Sequence, residues 1–141
     1  MTEYNKVFVD TAPIIYFLDD DVNYGQKSKM IFEDILRNKK IIESSVITCE
    51  EYLVYPYQTG NEEKVSAFFD FVNDCNINLN IMTEEIAKKA ASIRAEYKGF
   101  KSMDAIQLAT AYITGCDIFL TNDKQLCQFE EIKCLLIDDW K

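Results

Sequence analysis

The apolar positions alternate between two rhythms. Short β-rich runs predict strands at 7–9 (Val7 to Val9), at Ile41 and Ile42, at 77–82 in "INLNIM", at 117–121 in "DIFLT" and at 134–138 in "CLLID". Between them the spacing turns helical. Helices are expected at about 12–18, at 26–37 on a stripe of Met30, Ile31, Ile35 and Leu36, and from near Thr48 to just before Pro56. Others are expected at 61–74 on Val65, Phe68, Phe69 and Val72, from Thr83 to about 97, and from Ser102 onward. "DDD" at 19–21 reads as a solvated loop, and all four glycines fall between elements. Strands alternating with one or two helices predict a mostly parallel sheet covered on both faces, and such sheets bind ligands beyond the carboxyl ends of their strands.

One polar residue breaks this pattern. In "SMDAIQLATA" (102–111) Asp104 precedes a run of small and apolar residues, with Leu108 and Ala111 at i+4 and i+7. An ionised acid taken out of water costs several kcal/mol unless it is paired or bound to a cation. Three more acids occupy related places: Asp10 directly after the first strand, Asp123 two residues beyond Thr121, and Glu51 in "TCEE". Each also has a local explanation. Asp10 and Asp104 suit a helix N-terminus, Asn122-Asp123 is a common turn pair, and Thr48 to Glu51 has capping-box spacing.

Together the four carboxylates would meet at one edge of the sheet, where they repel unless protonated or neutralised. A hard divalent ion, Mg²⁺ or Mn²⁺, relieves that conflict because it prefers oxygen ligands. Metal held by carboxylates can activate water against a phosphodiester and stabilise the leaving oxygen.

Composition narrows the alternatives. The 141 residues fit one domain, 1–141, and contain no histidine. Ser-His-Asp and Cys-His sites and histidine general bases are therefore excluded. Five cysteines, an odd number without a C-x-x-C pair, argue against a disulfide framework and a zinc site, and most read as small core residues. No apolar run is long enough to span a membrane, and the N-terminus lacks a secretory leader, so a soluble, cytoplasmic protein without membrane association is expected. The net charge of −9 disfavours non-specific polyanion binding. Arg94, Lys98 and Lys101, just before Asp104, are placed to meet phosphates locally.

The segments "VFVDTAPIIYFLD" (7–19), "SSVITCEEYLVYP" (44–56), "SMDAIQLATA" (102–111) and "FLTNDKQL" (119–126) resemble, in order and spacing, those of PIN-domain nucleases, the family that includes VapC-type toxins. The resemblance implies a three-layer α/β/α sandwich on a five-stranded parallel sheet and metal-dependent RNA cleavage. It places Asp10, Glu51, Asp104 and Asp123 in the catalytic and metal-binding positions, with Thr11, Thr121 and Asn122 as supporting polar residues. It further implies an RNA substrate, a cognate antitoxin and a homodimer. Two other readings compete. One is a PIN-like binding or regulatory module without turnover. The other is an aspartyl-phosphate phosphatase, which Asp10 suggests but which lacks the second acid of a D-x-D-G-T motif.

Overall fold

The computed structural model describes residues 3–141. Five strands, β1 (Lys6–Val9), β2 (Ile41–Ser45), β3 (Asn78–Asn80), β4 (Ile118–Thr121) and β5 (Lys133–Leu136), form one all-parallel sheet in the order β3-β2-β1-β4-β5. Helices α1 (Thr11–Leu18), α2 (Gly25–Arg37), α3 (Val46–Gln58) and α4 (Glu62–Asp74) connect the first three strands, and α5 (Glu84–Glu96) and α6 (Ser102–Ile113) cross to the other side. Short 3-10 turns, Lys124–Gln128 and Ile137–Asp139, precede and follow β5.

The central strands β1, β2 and β4 are buried on both faces, so their side chains sort by parity. Val7, Val9, Ile42, Ile118 and Leu120 pack with Ile14, Ile31, Ile35, Tyr52, Phe68 and Phe71 from α1 to α4. Phe8 and Phe119, stacked at 5.3 Å, point the other way into Ile86, Ala90, Ile93, Ala105, Leu108 and Ala109 of α5 and α6. Two cores back to back make the expected sandwich. The winding of the sheet reverses between β1 and β4, which sit side by side and parallel, and Asp10 donates its backbone N–H to the Leu120 carbonyl at 2.9 Å. The loops leaving β1 and β4 therefore diverge from a single crevice.

Several expectations need correction. The helix expected from Thr48 begins at Val46, because the Ser45 hydroxyl accepts from the Ile47 amide and caps it; Thr48 is inside the helix and buried. That helix also runs through Pro56 to Gln58. Pro56 is buried there, and the Thr59 hydroxyl closes the last turn by donating to the Tyr55 and Pro56 carbonyls. On α2 the buried stripe is Ile31, Phe32 and Ile35, whereas Met30 and Leu36 are exposed; on α4, Phe71 is buried and Phe69 exposed. The "DDD" segment is a solvated loop as expected, with Asp19 and Asp20 exposed, and it is also ordered: Asp19 accepts from the Tyr52 hydroxyl and pairs with Lys64, and Asp21 accepts from the Asn23 and Tyr24 amides. A disulfide joins Cys127 to Cys134, against the cysteine reading, because the 3-10 turn lays Cys127 beside β5; Cys116 is buried and Cys49 and Cys75 are half-buried.

Glu43 is the buried acid on the sheet. It lies on β2 and accepts from the side-chain amides of Asn78 and Asn80 on the neighbouring strand. The alternation of "INLNIM" thus serves a buried carboxylate as well as water on its polar side.

Candidate acidic site at the switch point

Asp10 is the floor of the crevice. It leaves β1, caps α1 and is 9% exposed. Its Oδ1 accepts from the Thr11 amide at 2.9 Å and from Gln107 Nε2 at 3.3 Å, and its Oδ2 accepts from the Thr121 hydroxyl at 2.8 Å. Only the first of these is local; the others come from residues 97 and 111 positions away. Burial pushes the Asp10 carboxyl above its ordinary value, its three hydrogen bonds pull it back, and the charge of Glu51 raises it again.

Glu51 is exposed on α3 and is free of the capping role that its spacing suggested. The Thr11 hydroxyl donates to its Oε1 at 2.6 Å. Asp104 stands in the first turn of α6, half-buried, and its carboxyl is raised first by desolvation, then by the charges of Asp10 and Asp123, while Lys101 lowers it. Asp123 is exposed after β4, where its Oδ1 accepts from the Gln125 amide and its own N–H donates to the Thr121 hydroxyl. The Thr121 hydroxyl thus ties Asp123 to Asp10.

Asp10 therefore lies within electrostatic reach of Glu51 and Asp104, and Asp104 also of Asp123, in an order of exposure from the buried Asp10 to the exposed Glu51 and Asp123. Among the described residues no three Asp, Glu or Cys side chains stand close enough to form a ready cage for a metal ion. A hydrated ion demands less, since Mg²⁺ keeps several of its waters and needs only one or two carboxylates directly. The carboxyls of Asp10 and Asp104 are raised first by desolvation and further by like charge, the part a divalent cation would offset, and the donors are oxygens throughout, the type such an ion prefers.

Of the supporting residues, Thr11 and Thr121 bond the acids directly, whereas Asn122 donates to the Tyr16 hydroxyl at 3.2 Å. Lys101 lies at the N-terminus of α6 near Asp104; Arg94 and Lys98 are exposed, with no ion pair among the described residues. Sequence reading missed Ser45, Thr48 and Gln107, which are buried behind the acids and bonded to one another. A glutamine inside an otherwise apolar stripe was the available signal.

Solved structures share this architecture. A chain of a toxin–antitoxin complex from Klebsiella pneumoniae matches with a TM-score of 0.72 at 21% identity, covering 93% of this chain and 97% of that one. VapBC2 from Rickettsia felis, bound to a DNA fragment from its promoter, matches with a TM-score of 0.76 at 12% identity, covering 93% and 98%. VapC20 from Mycobacterium tuberculosis, described as a sarcin–ricin-loop-cleaving toxin, matches with a TM-score of 0.66 at 14% identity, covering 90% and 98%. No curated protein matches the chain in sequence. The PIN domain family model matches residues 7–132, nearly the whole chain, and with the parallel sheet and the acids at its switch point this establishes that the chain belongs to the PIN-domain family.

Proposed function

We propose that this chain is a divalent-metal-dependent endoribonuclease, acting in the cytoplasm as the toxin of a toxin–antitoxin pair. What supports the reading is Asp10, buried under three donors and within reach of the Glu51 charge, beside Asp104, raised first by desolvation and then by the charges of Asp10 and Asp123. Family membership supports nuclease chemistry, and the toxin–antitoxin complexes among the structural neighbours support an antitoxin partner. A homodimer remains part of the proposal on family resemblance.

The four acids would hold Mg²⁺ or Mn²⁺. Bound there, the ion would supply Lewis acidity, neutralising carboxylate charge and making water a better nucleophile toward an RNA phosphodiester. The protein's own part is positioning. Thr121 and the Thr11 amide hold the Asp10 carboxylate in one orientation, and Thr11 does the same for Glu51. Exposed Glu51 and Asp123 leave the crevice open to a phosphate, and Lys101, with Arg94 and Lys98, would offset the acids on the approaching strand.

The test is cleavage of a mixed RNA substrate by the purified chain. Wild type is expected to cleave with Mg²⁺ or Mn²⁺ and to stop with EDTA, and Asp10→Asn and Asp104→Asn to be inactive while retaining the wild-type circular dichroism spectrum. Cleavage that persists in EDTA, or at wild-type rate in both variants, overturns the reading.

A further inference from the structure

Gln107 is 1% exposed on α6, one turn beyond Asp104. A buried side-chain amide carries two N–H donors and a carbonyl acceptor, and each must find a partner or cost free energy. Here the partners come from three separate elements. The carbonyl accepts from the Ser45 hydroxyl. The Asp10 carboxylate decides which way round the amide sits, since the reversed amide would turn its oxygen toward it. The Nε2 group then donates to Asp10 Oδ1 at 3.3 Å and to Thr48 Oγ1 at 2.8 Å.

Beyond Thr48 the hydrogen bonds run in one direction. An ionised Glu51 only accepts, so the Thr11 hydroxyl gives it its proton at 2.6 Å. In its 3.1 Å contact with Thr48 Oγ1, Thr11 Oγ1 is consequently the acceptor and Thr48 the donor. Thr48 Oγ1 in turn accepts from Gln107 and from the Ser44 hydroxyl at 3.1 Å. The row from Gln107 through Thr48 and Thr11 to Glu51 is a set of aligned dipoles ending on a carboxylate, in which each donor polarises the next.

The other branch ends on Asp10. Its Oδ1 receives two donors, the Thr11 amide and Gln107, which occupy both lone pairs; Oδ2 receives Thr121 alone and keeps one lone pair open. We infer that Gln107 is a positioning residue of the acidic site, whose single amide orients Asp10 directly and Glu51 through Thr48 and Thr11, so that the two carboxylates are held as one unit for a divalent cation. The inference rests on the metal-dependent reading above.

Calorimetric titration of Mn²⁺ into wild type, Gln107→Leu, Thr48→Val and the double variant tests it, with the melting temperature of each metal-free protein measured alongside. Gln107→Leu is expected to weaken Mn²⁺ binding about 10- to 100-fold, the range typical of residues that orient metal ligands. Thr48→Val, close to isosteric, is expected to weaken it less. In the double variant the loss should match that of Gln107→Leu alone to within about twofold, because the route to Glu51 is already cut. A purely structural role would lower melting temperatures without this non-additivity. Wild-type affinity in Gln107→Leu, or independent losses that add in the double variant, overturns the inference; if Asp10→Asn still abolishes binding in that case, the metal reading survives. Should Gln107→Leu not fold, wild-type affinity in Thr48→Val overturns the inference equally. A wild-type chain that binds no Mn²⁺ overturns both.

Discussion

Asp10 is held where ionisation is unfavourable. Its folded carboxyl sits above the ordinary value of 3.8, chiefly because burial strips it of water, and Asp104 is raised for the same first reason. For an acid raised in the folded state, the cost to stability is absent while both states are protonated and grows as pH rises from the unfolded value through the folded one. Without metal, Asp10→Asn and Asp104→Asn should therefore raise the melting temperature at pH 7, by about 3 °C for each kcal/mol of relieved cost, and the gain should vanish below about pH 3.8. Scanning calorimetry across that range checks the sign; a neutral-pH loss in both variants would contradict it. Asp10 could be recognised along the chain because it directly follows a strand. Gln107 stood out only as a polar residue in an apolar stripe, with nothing to say what it bonds, since its partners lie up to 97 residues away. Glu51 was half-legible, because its spacing from Thr48 matched a capping box that the actual cap, Ser45, made unnecessary.

Among the elements, the β2–β3 pair carries the most exacting polar packing. Glu43 needs the Asn78 and Asn80 amides, and Asn80 also donates to the Ser44 carbonyl at 2.9 Å. Asn80→Leu leaves a buried carboxylate short of a donor and should cost about 1–3 kcal/mol, or roughly 3–9 °C in melting temperature. Exposed Asn78 should tolerate replacement better, so a larger loss at Asn78 than at Asn80 would argue against this account. The disulfide closes a loop of sequence separation 7 between the 3-10 turn capped by Asp123 and β5. Loop-closure entropy for that length is worth about 2 kcal/mol. Reduction with dithiothreitol, or Cys127→Ser with Cys134→Ser, should lower the melting temperature by about 4–8 °C. Helical spacing predicted that α3 exists, but not that it continues through Pro56, because burial of that residue between packed neighbours overrides a local preference.

At the scale of the molecule, net charge and local charge oppose each other. The −9 balance repels polyanions at a distance, so on the proposed reading RNA affinity depends on few cations close to the acids. On the proposed reading, changing Arg94, Lys98 and Lys101 together to Ala should weaken RNA binding and flatten the dependence of log affinity on log salt by about 2, at a slope of roughly 0.7 per single-strand phosphate contact. Fluorescence anisotropy at several salt concentrations, with an inactive Asp104→Asn background, measures this; an unchanged slope would remove those residues from the interface. Mn²⁺ at about 100 times its dissociation constant should stabilise the wild-type fold by about 2.7 kcal/mol and Asp10→Asn by far less.

The parallel α/β architecture and its order of elements were determined by the sequence alone, and so was the choice of four candidate acids, because periodicity, strand ends and residue type are local properties that survive without coordinates. Which hydroxyls and amides hold those acids, which face of α2 is buried, which cysteines pair and which carboxylate lies deepest were decided only by tertiary structure. The reason is that the sheet order brings β1 beside β4 and lays α6 against β2, joining groups that no spacing along the chain relates.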